Sequence, residues 1–287
     1  MKLLADTADL AEMLSTFVTR GGWITAPLGG ALVLYLMQDR LVFNPVRTAP
    51  TLFREGKTHR ARAVSISMSD GIRLQGWWLR PNGPCDGPRP AVIYFGGRSE
   101  EVSWVSEQLC SLTGVHALFV NYRGYGRSQG RPTELTLLQD ALELYDWIGA
   151  RPGVDPRSIA VIGRSLGSGV AVYVAAHRPA VAAVLITPYD SIVEIARRKF
   201  PYCAARILLR HRFESVRFAK GAKVPALVLL AQEDDVVPRE HALRLIAAWC
   251  GEKQVETITG TGHCDIQLHA HTWQAACSFL RRHLLAA

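Results

Sequence analysis

Much is missing from this sequence. It has no C-x-x-C pair, and its six cysteines (Cys85, Cys110, Cys203, Cys250, Cys264, Cys277) are scattered. That spacing argues against a compact disulfide framework and against a paired-cysteine metal site. Cys110, Cys250 and Cys277 fall on apolar helical patterns, where a buried free thiol is the usual outcome, so reduced cysteines are expected and no metal. Low-complexity sequence and internal repeats are absent. With 48% hydrophobic and 20% charged residues, there is no room for a long disordered or collagen-like region.

Acidic residues are the scarcer charge, 25 against 33 basic ones, for a formal +8. The excess is local. Nine basic residues against Glu194 and Glu214 lie between Ser191 and Lys223. No helix-turn-helix, RRM or finger pattern accompanies them, so a basic surface near one site is expected and no nucleic-acid partner.

At 287 residues the chain can form one α/β domain with appendages. One uncharged apolar stretch, Gly21–Met37, stands out between Arg20 and Asp39-Arg40. It lies at the short end of the spanning range of about 17–25 residues, and Pro27 and its glycines weaken it. Asp6, Asp9 and Glu12 before it, and Gln38-Asp39-Arg40 after it, do not resemble a cleaved signal peptide. Residues 1–40 are therefore read as an N-terminal helical segment that associates with a membrane, against the alternative of a helix packed on the body. Basic residues are denser after the stretch (Arg40, Arg47, Arg54, Lys57) than before it (Lys2, Arg20), which puts the catalytic part, 41–287, in the cytoplasm. Without the anchor the whole protein is expected to be cytoplasmic.

From about Ala61, short apolar runs alternate with helical patterns, the signature of a mostly parallel sheet covered on both faces. Val64–Met68 and Ile72–Leu79 flank Ser69-Asp70-Gly71 and predict an antiparallel hairpin. Six strands follow, at Ala91–Phe95, Ala117–Asn121, Ile159–Gly163, Ala182–Thr187, Ala226–Ala231 and Val255–Ile258. Between them the pattern predicts helices at Val102–Leu112, Leu135–Ile148, Leu166–Ala176, His241–Cys250 and Thr272–His283. Ser191–Lys223 breaks the rhythm, too long for a connection and helical in pattern, and is read as an inserted cap.

Ala160–Gly169 runs from a buried strand through Gly163-Arg164-Ser165-Leu166-Gly167 into an apolar helix. This is a nucleophile elbow: the turn strains the backbone at Ser165, and side chains two positions to either side would collide with neighbouring elements. Serine is a weak nucleophile until a base takes its proton, and a histidine is therefore expected late in the chain. His263, in Gly260-Thr261-Gly262-His263-Cys264-Asp265, follows the last strand in a glycine-rich loop. The other eight histidines lie on helices, in the cap, before Ser165 or outside a glycine context. The orienting acid belongs after the penultimate strand, where Glu233, Asp234 and Asp235 stand side by side. Asp190, in Thr187-Pro188-Tyr189-Asp190-Ser191, competes from the end of the strand before. For the oxyanion, Leu166 N–H is one donor, and the loop Tyr94-Phe95-Gly96-Gly97-Arg98 supplies the other, from Arg98 first and Gly97 next.

These motifs together resemble a membrane-associated branch of the α/β-hydrolase superfamily that includes protein depalmitoylases, lysophospholipid lipases and bacterial serine hydrolases. The marks are Gln38-Asp39-Arg40-Leu41-Val42-Phe43-Asn44-Pro45, Tyr94–Gly97, Asn121-Tyr122-Arg123-Gly124-Tyr125-Gly126-Arg127-Ser128, Gly163–Gly167, Thr187–Ser191, Asp234 and Gly262-His263. The resemblance covers roughly Leu36 to the C-terminus. It implies an eight-stranded, mostly parallel sheet with a small helical cap, and a triad of Ser165, His263 and, among the three acids, Asp234. It also implies ester, thioester or lipid hydrolysis without a cofactor, on a small-molecule or lipid-like acyl substrate. Two positions depart from the branch, which has His-Gly-Asn where this chain has Gly96-Gly97-Arg98, and Asn after the histidine where this chain has Cys264. A serine peptidase, and a non-catalytic binding protein on the same fold, are the competing readings.

Overall fold

The computed structural model describes residues 35–50, 59–83, 87–109, 111–199 and 205–285. Eight strands form one sheet: β1 (His59–Ser67), β2 (Arg73–Pro81), β3 (Arg89–Phe95), β4 (His116–Val120), β5 (Val154–Arg164), β6 (Ala182–Ile186), β7 (Ala226–Glu233) and β8 (Lys253–Gly262). Their order is β1-β2-β4-β3-β5-β6-β7-β8. β1 and β2 form the antiparallel hairpin, β2 joins β4 antiparallel, and every later pairing is parallel.

Burial explains why the central strands were plain in the sequence and the edges were not. β4 and β6 are buried at every position, so they read as continuous apolar runs, as parallel strands covered on both faces do. β1 and β8 run several residues beyond their apolar cores at Val64–Met68 and Val255–Ile258, because edge strands keep one polar face.

Helices lie on both faces. One face carries α1 (Glu134–Gly149), α2 (Leu166–His177) and α4 (Arg239–Ala248), which bury residues such as Leu137, Leu144, Val170, Val174 and Leu245. α5 (Ala270–Leu284) covers the other face with Trp273, Ala276, Cys277 and Leu280. A capping box between Thr133 and Thr136 opens α1 and satisfies orphan N–H groups there. The helix expected over Val102–Leu112 instead divides into a 3-10 turn at Val102–Trp104 and a short α-helix at Val105–Leu109. Between β6 and β7 the chain forms α3 (Ile192–Lys199) and the short helices Ala205–Leu208 and Ser215–Ala219.

Of the apolar stretch 21–37, positions 21–34 lie outside the described residues. The chain enters as a helix over 35–42. Among the described residues no helix is long and apolar enough to cross a membrane. Cys250 and Cys264 carry free, exposed thiols, Cys250 just past the end of α4 rather than buried as expected, whereas Cys277 is buried as expected. The other three cysteines lie outside the described residues.

Candidate active site

The parallel strands all point one way, and their C-terminal ends gather the residues singled out from the sequence. Ser165 sits at the turn from β5 into α2 with φ 49° and ψ −117°. A positive φ is strained for a side-chain-bearing residue, and the surroundings hold it there. Ser165 N–H donates to the Ile186 carbonyl at 2.9 Å, and Ser165 O accepts from the Ser168 hydroxyl at 2.6 Å. A Cβ at Gly163 would stand 2.2 Å from the Gly167 carbonyl oxygen, and one at Gly167 would stand 2.1 Å from that of Phe95. Both contacts are with backbone, which explains why the turn carries glycine at these two positions.

His263 directly follows β8 and is buried. Its Nε2 lies 2.8 Å from Ser165 Oγ, and its Nδ1 lies 3.0 and 2.9 Å from the two carboxylate oxygens of Asp234. Asp234 directly follows β7, and its Oδ1 also accepts the N–H groups of Val236 and Val237 at 3.0 and 2.7 Å. Those bonds fix the carboxylate that faces the imidazole. Of the other acids weighed, Asp190 is buried elsewhere: it accepts from His241 Nδ1 at 2.7 Å and from Arg244 Nε at 2.5 Å.

In the loop after β3 the two nominated donors differ. Gly97 N–H donates to Glu100 Oε2 at 2.6 Å. For Arg98 N–H no acceptor is found among the described residues. Leu166, as the first residue of α2, has an N–H without an intrahelical acceptor. The loop is pinned from outside: Tyr122 hydroxyl donates to the Gly96 carbonyl at 2.9 Å, Ser99 N–H to the Phe43 carbonyl at 3.2 Å, and Asn44 Nδ2 to Ser99 Oγ at 2.8 Å. Thus the Asn121–Ser128 motif and the stretch around Phe43 serve the same loop.

The sequence profile of the alpha/beta hydrolase family matches residues 96–222. The uncharacterized protein Rv2307c of Mycobacterium tuberculosis is 33% identical over 246 residues, covering 84% of this chain and 85% of that protein. The chain belongs to the α/β-hydrolase family. At lower identity, 26% over 252 residues and 79% of each chain, it is similar to the alpha/beta hydrolase domain-containing protein WAV2 of Arabidopsis thaliana. Among solved structures, an acetyl xylan esterase from Paenibacillus sp. R4 superposes with a TM-score of 0.66 at 21% identity, covering 88% of this chain and 94% of that one. At that identity the likeness is one of fold.

Three residues of this hydrolase site escaped the motif reading. Arg164 donates to both Glu100 and Gln267, which in turn bond the loops around Ser165. Arg164 is the variable position of G-x-S-x-G, and its charge directly after the apolar run Ile159–Gly163 was the available signal. Glu100 and Gln267 carry none, because Arg164, the residue that joins them, is 64 and 103 residues away in sequence.

Proposed function

We propose that this chain is a serine hydrolase that cleaves carboxylic ester or thioester bonds of acyl or lipid-like substrates through an acyl-enzyme. The observation that carries the reading is the relay from Ser165 Oγ through His263 to Asp234, with every step at 3.0 Å or less. As Ser165 Oγ attacks the carbonyl carbon, His263 Nε2 takes its proton, and Asp234 stabilises the imidazolium that forms. The negative oxygen of the tetrahedral intermediate is received by Leu166 N–H and Arg98 N–H. Collapse breaks the C–O or C–S bond, and His263 returns the proton to the departing alcohol or thiol. Water then attacks the acyl group, His263 again accepting a proton and delivering it to Ser165. No metal or cofactor enters these steps, so activity is expected to survive EDTA.

The same reading makes 191–223 a cap that shapes the substrate entrance. It also makes 21–37 a membrane attachment, with the catalytic domain on the cytoplasmic side. Exposed Leu36 and Ile207 on neighbouring elements support membrane contact.

Fluorophosphonate labelling of the parent and of Ser165→Ala, with p-nitrophenyl esters of several acyl lengths and aminoacyl anilides in parallel, tests the proposal. Labelling and ester turnover that fall on the order of 10³-fold or more in Ser165→Ala and His263→Ala are expected. A parent that ignores the probe would leave a binding protein on a hydrolase fold. Preferential anilide cleavage would indicate a peptidase.

A further inference from the structure

Three loops converge on the proposed site, and one buried carboxylate ties two of them together. Glu100 accepts from Tyr94 Oη at 2.7 Å, from Gly97 N–H at 2.6 Å and from Arg164 Nη1 at 2.9 Å. Gly97 belongs to the loop after β3, and Arg164 is the residue before Ser165. The connection continues to the third loop. Arg164 Nε donates to Gln267 Oε1 at 3.1 Å, and Gln267 Nε2 donates to the Cys264 carbonyl at 2.6 Å. Cys264 directly follows His263. A continuous chain of hydrogen bonds therefore joins the donor loop, the nucleophile turn and the histidine loop.

Chemistry and sterics make these bonds specific. Tyr94, Gly97 and Arg164 all donate to Glu100, and Arg164 is a cation, so a carboxylate fits and a neutral amide would leave that buried charge without a counterion. Arg164 reaches two acceptors at once because its guanidinium is a rigid fork, which a lysine ammonium cannot reproduce. The space beside Gly97 is filled by that fork: a Cβ there would lie 2.5 Å from Arg164 Nη1. Side-chain exposures of 11% and 8% place the Arg164–Glu100 pair out of water. A buried ion pair is a poor source of stability, since apolar residues of similar volume often do as well. It does fix direction and distance, and that is what the site needs.

We infer that Glu100, Arg164 and Gln267 are positioning residues, which hold the Arg98 N–H, Ser165 Oγ and His263 in one reactive geometry. This rests on the serine-hydrolase reading. Displacement of a catalytic group by about 1 Å can cost on the order of 10²-fold in rate, and the chain opposes such displacement without touching substrate.

The test compares the full-length parent with Glu100→Gln, Arg164→Lys, Gln267→Ala and the Glu100→Gln/Arg164→Lys double variant. Steady-state kinetics on one p-nitrophenyl ester, fluorophosphonate labelling rates and Tm are measured for each. The expected result is a kcat lowered about tenfold or more, with KM within about twofold and a parallel fall in labelling rate. The double variant should be no slower than its slower parent variant, because both changes cut one chain. Gln267 is half-buried and its alanine variant should fold, which keeps the inference exposed if Arg164→Lys does not. Either of two results overturns it: kcat and labelling within twofold of the parent in Gln267→Ala and Glu100→Gln, or losses that merely track Tm. A parent that is not labelled, or a Ser165→Ala variant as active as the parent, would defeat the hydrolase reading itself and this inference with it.

Discussion

Asp190 Oδ1 lies 2.7 Å from His241 Nδ1, so the carboxylate at the end of β6 holds a different imidazole from the one that faces Ser165. Arg244 Nε and the Ser191 N–H complete its shell at 2.5 and 2.6 Å. Asp234 alone of the acids weighed meets His263. The two carboxylates should therefore separate in mutagenesis. Asp234→Asn is expected to cut kcat on the order of 10³-fold or more through the wrong imidazole tautomer, with Tm little changed. Asp190→Asn is expected to cost about 1–3 kcal/mol of stability by leaving buried groups badly paired, with kcat within a few-fold of the parent. Near-normal kcat in Asp234→Asn alongside an inactive, folded Asp190→Asn would reverse the assignment.

Arg123 ties the Asn121–Ser128 motif to α1 and to the β1–β2 turn. It grips buried Asp140 with two bonds, Nε to Oδ2 at 2.8 Å and Nη2 to Oδ1 at 2.7 Å, and also reaches Asp70 in the β1–β2 turn. Arg123→Met removes the partner of a buried carboxylate and is expected to cost about 3–5 kcal/mol in urea unfolding. The sign of the pH effect follows from Asp140, whose pKa is already raised by burial, with Arg123 pulling it back. Without Arg123 it rises further. A carboxyl with a raised folded-state pKa gains folding stability as pH falls from that pKa toward its unfolded value. The deficit of the variant should accordingly narrow between about pH 7 and pH 5. A deficit that widened over that range would contradict the pairing.

Glycines that look alike in sequence should behave differently. Gly167→Ala places a methyl 2.1 Å from a backbone oxygen of β3, which cannot move without opening the nucleophile turn. It is expected to lose about 3 kcal/mol together with activity. Gly71 has φ +83° and open space around it. There Gly71→Ala meets only the left-handed backbone penalty, about 1–2 kcal/mol, with kcat unchanged. Comparable activity losses in both variants would remove the steric account of the turn.

The parts of the molecule legible in sequence share a physical character: each is a local pattern. Buried strands announce themselves as apolar runs, and the turn around Ser165 is marked by glycines whose clashes lie within four residues or at the adjacent strand. His263 was found by its glycine neighbours and its place after the last strand. Asp234 was different: three carboxylates in a row are locally equivalent, and only the family resemblance favoured one of them. The Asp190–His241 pairing spans 51 residues and left no local trace. For the same reason Glu100 and Gln267 passed unnoticed, and Gly97 was kept as an oxyanion donor although its N–H is taken by Glu100. Edge strands β1 and β8 were underestimated because alternation between a polar and an apolar face weakens their signal.

The N-terminal helix over 35–42 and the segment 191–223 meet at one junction. Gln38 binds the two together, donating to the Leu208 carbonyl at 3.3 Å and accepting from Arg210 N–H at 2.7 Å. On this junction Leu36 and Ile207 are 68% and 84% exposed, unusual for large aliphatic side chains, and Arg210 lies 5.2 Å over the Tyr35 ring. Entering lipid would release each aliphatic group from water, worth about 1.5–3 kcal/mol. Charge should add less than the sequence suggests. Arg197 and Arg206 share Glu194, and Arg198 and Arg210 meet Glu240 and Asp39, acids outside 191–223 that offset part of its basic excess. Binding is therefore expected to depend more on the apolar contacts than on anionic headgroups. Sedimentation with neutral phosphatidylcholine vesicles and with vesicles carrying phosphatidylserine, at low and high salt, would measure this. Full-length protein should bind both, with less than a tenfold advantage for the anionic vesicles, and Leu36→Ser/Ile207→Ser should weaken binding to each. A parent that stays in the supernatant without detergent in both cases would eliminate the membrane reading. Strict dependence on phosphatidylserine, abolished by salt, would instead show that the arginines dominate despite their ion pairs.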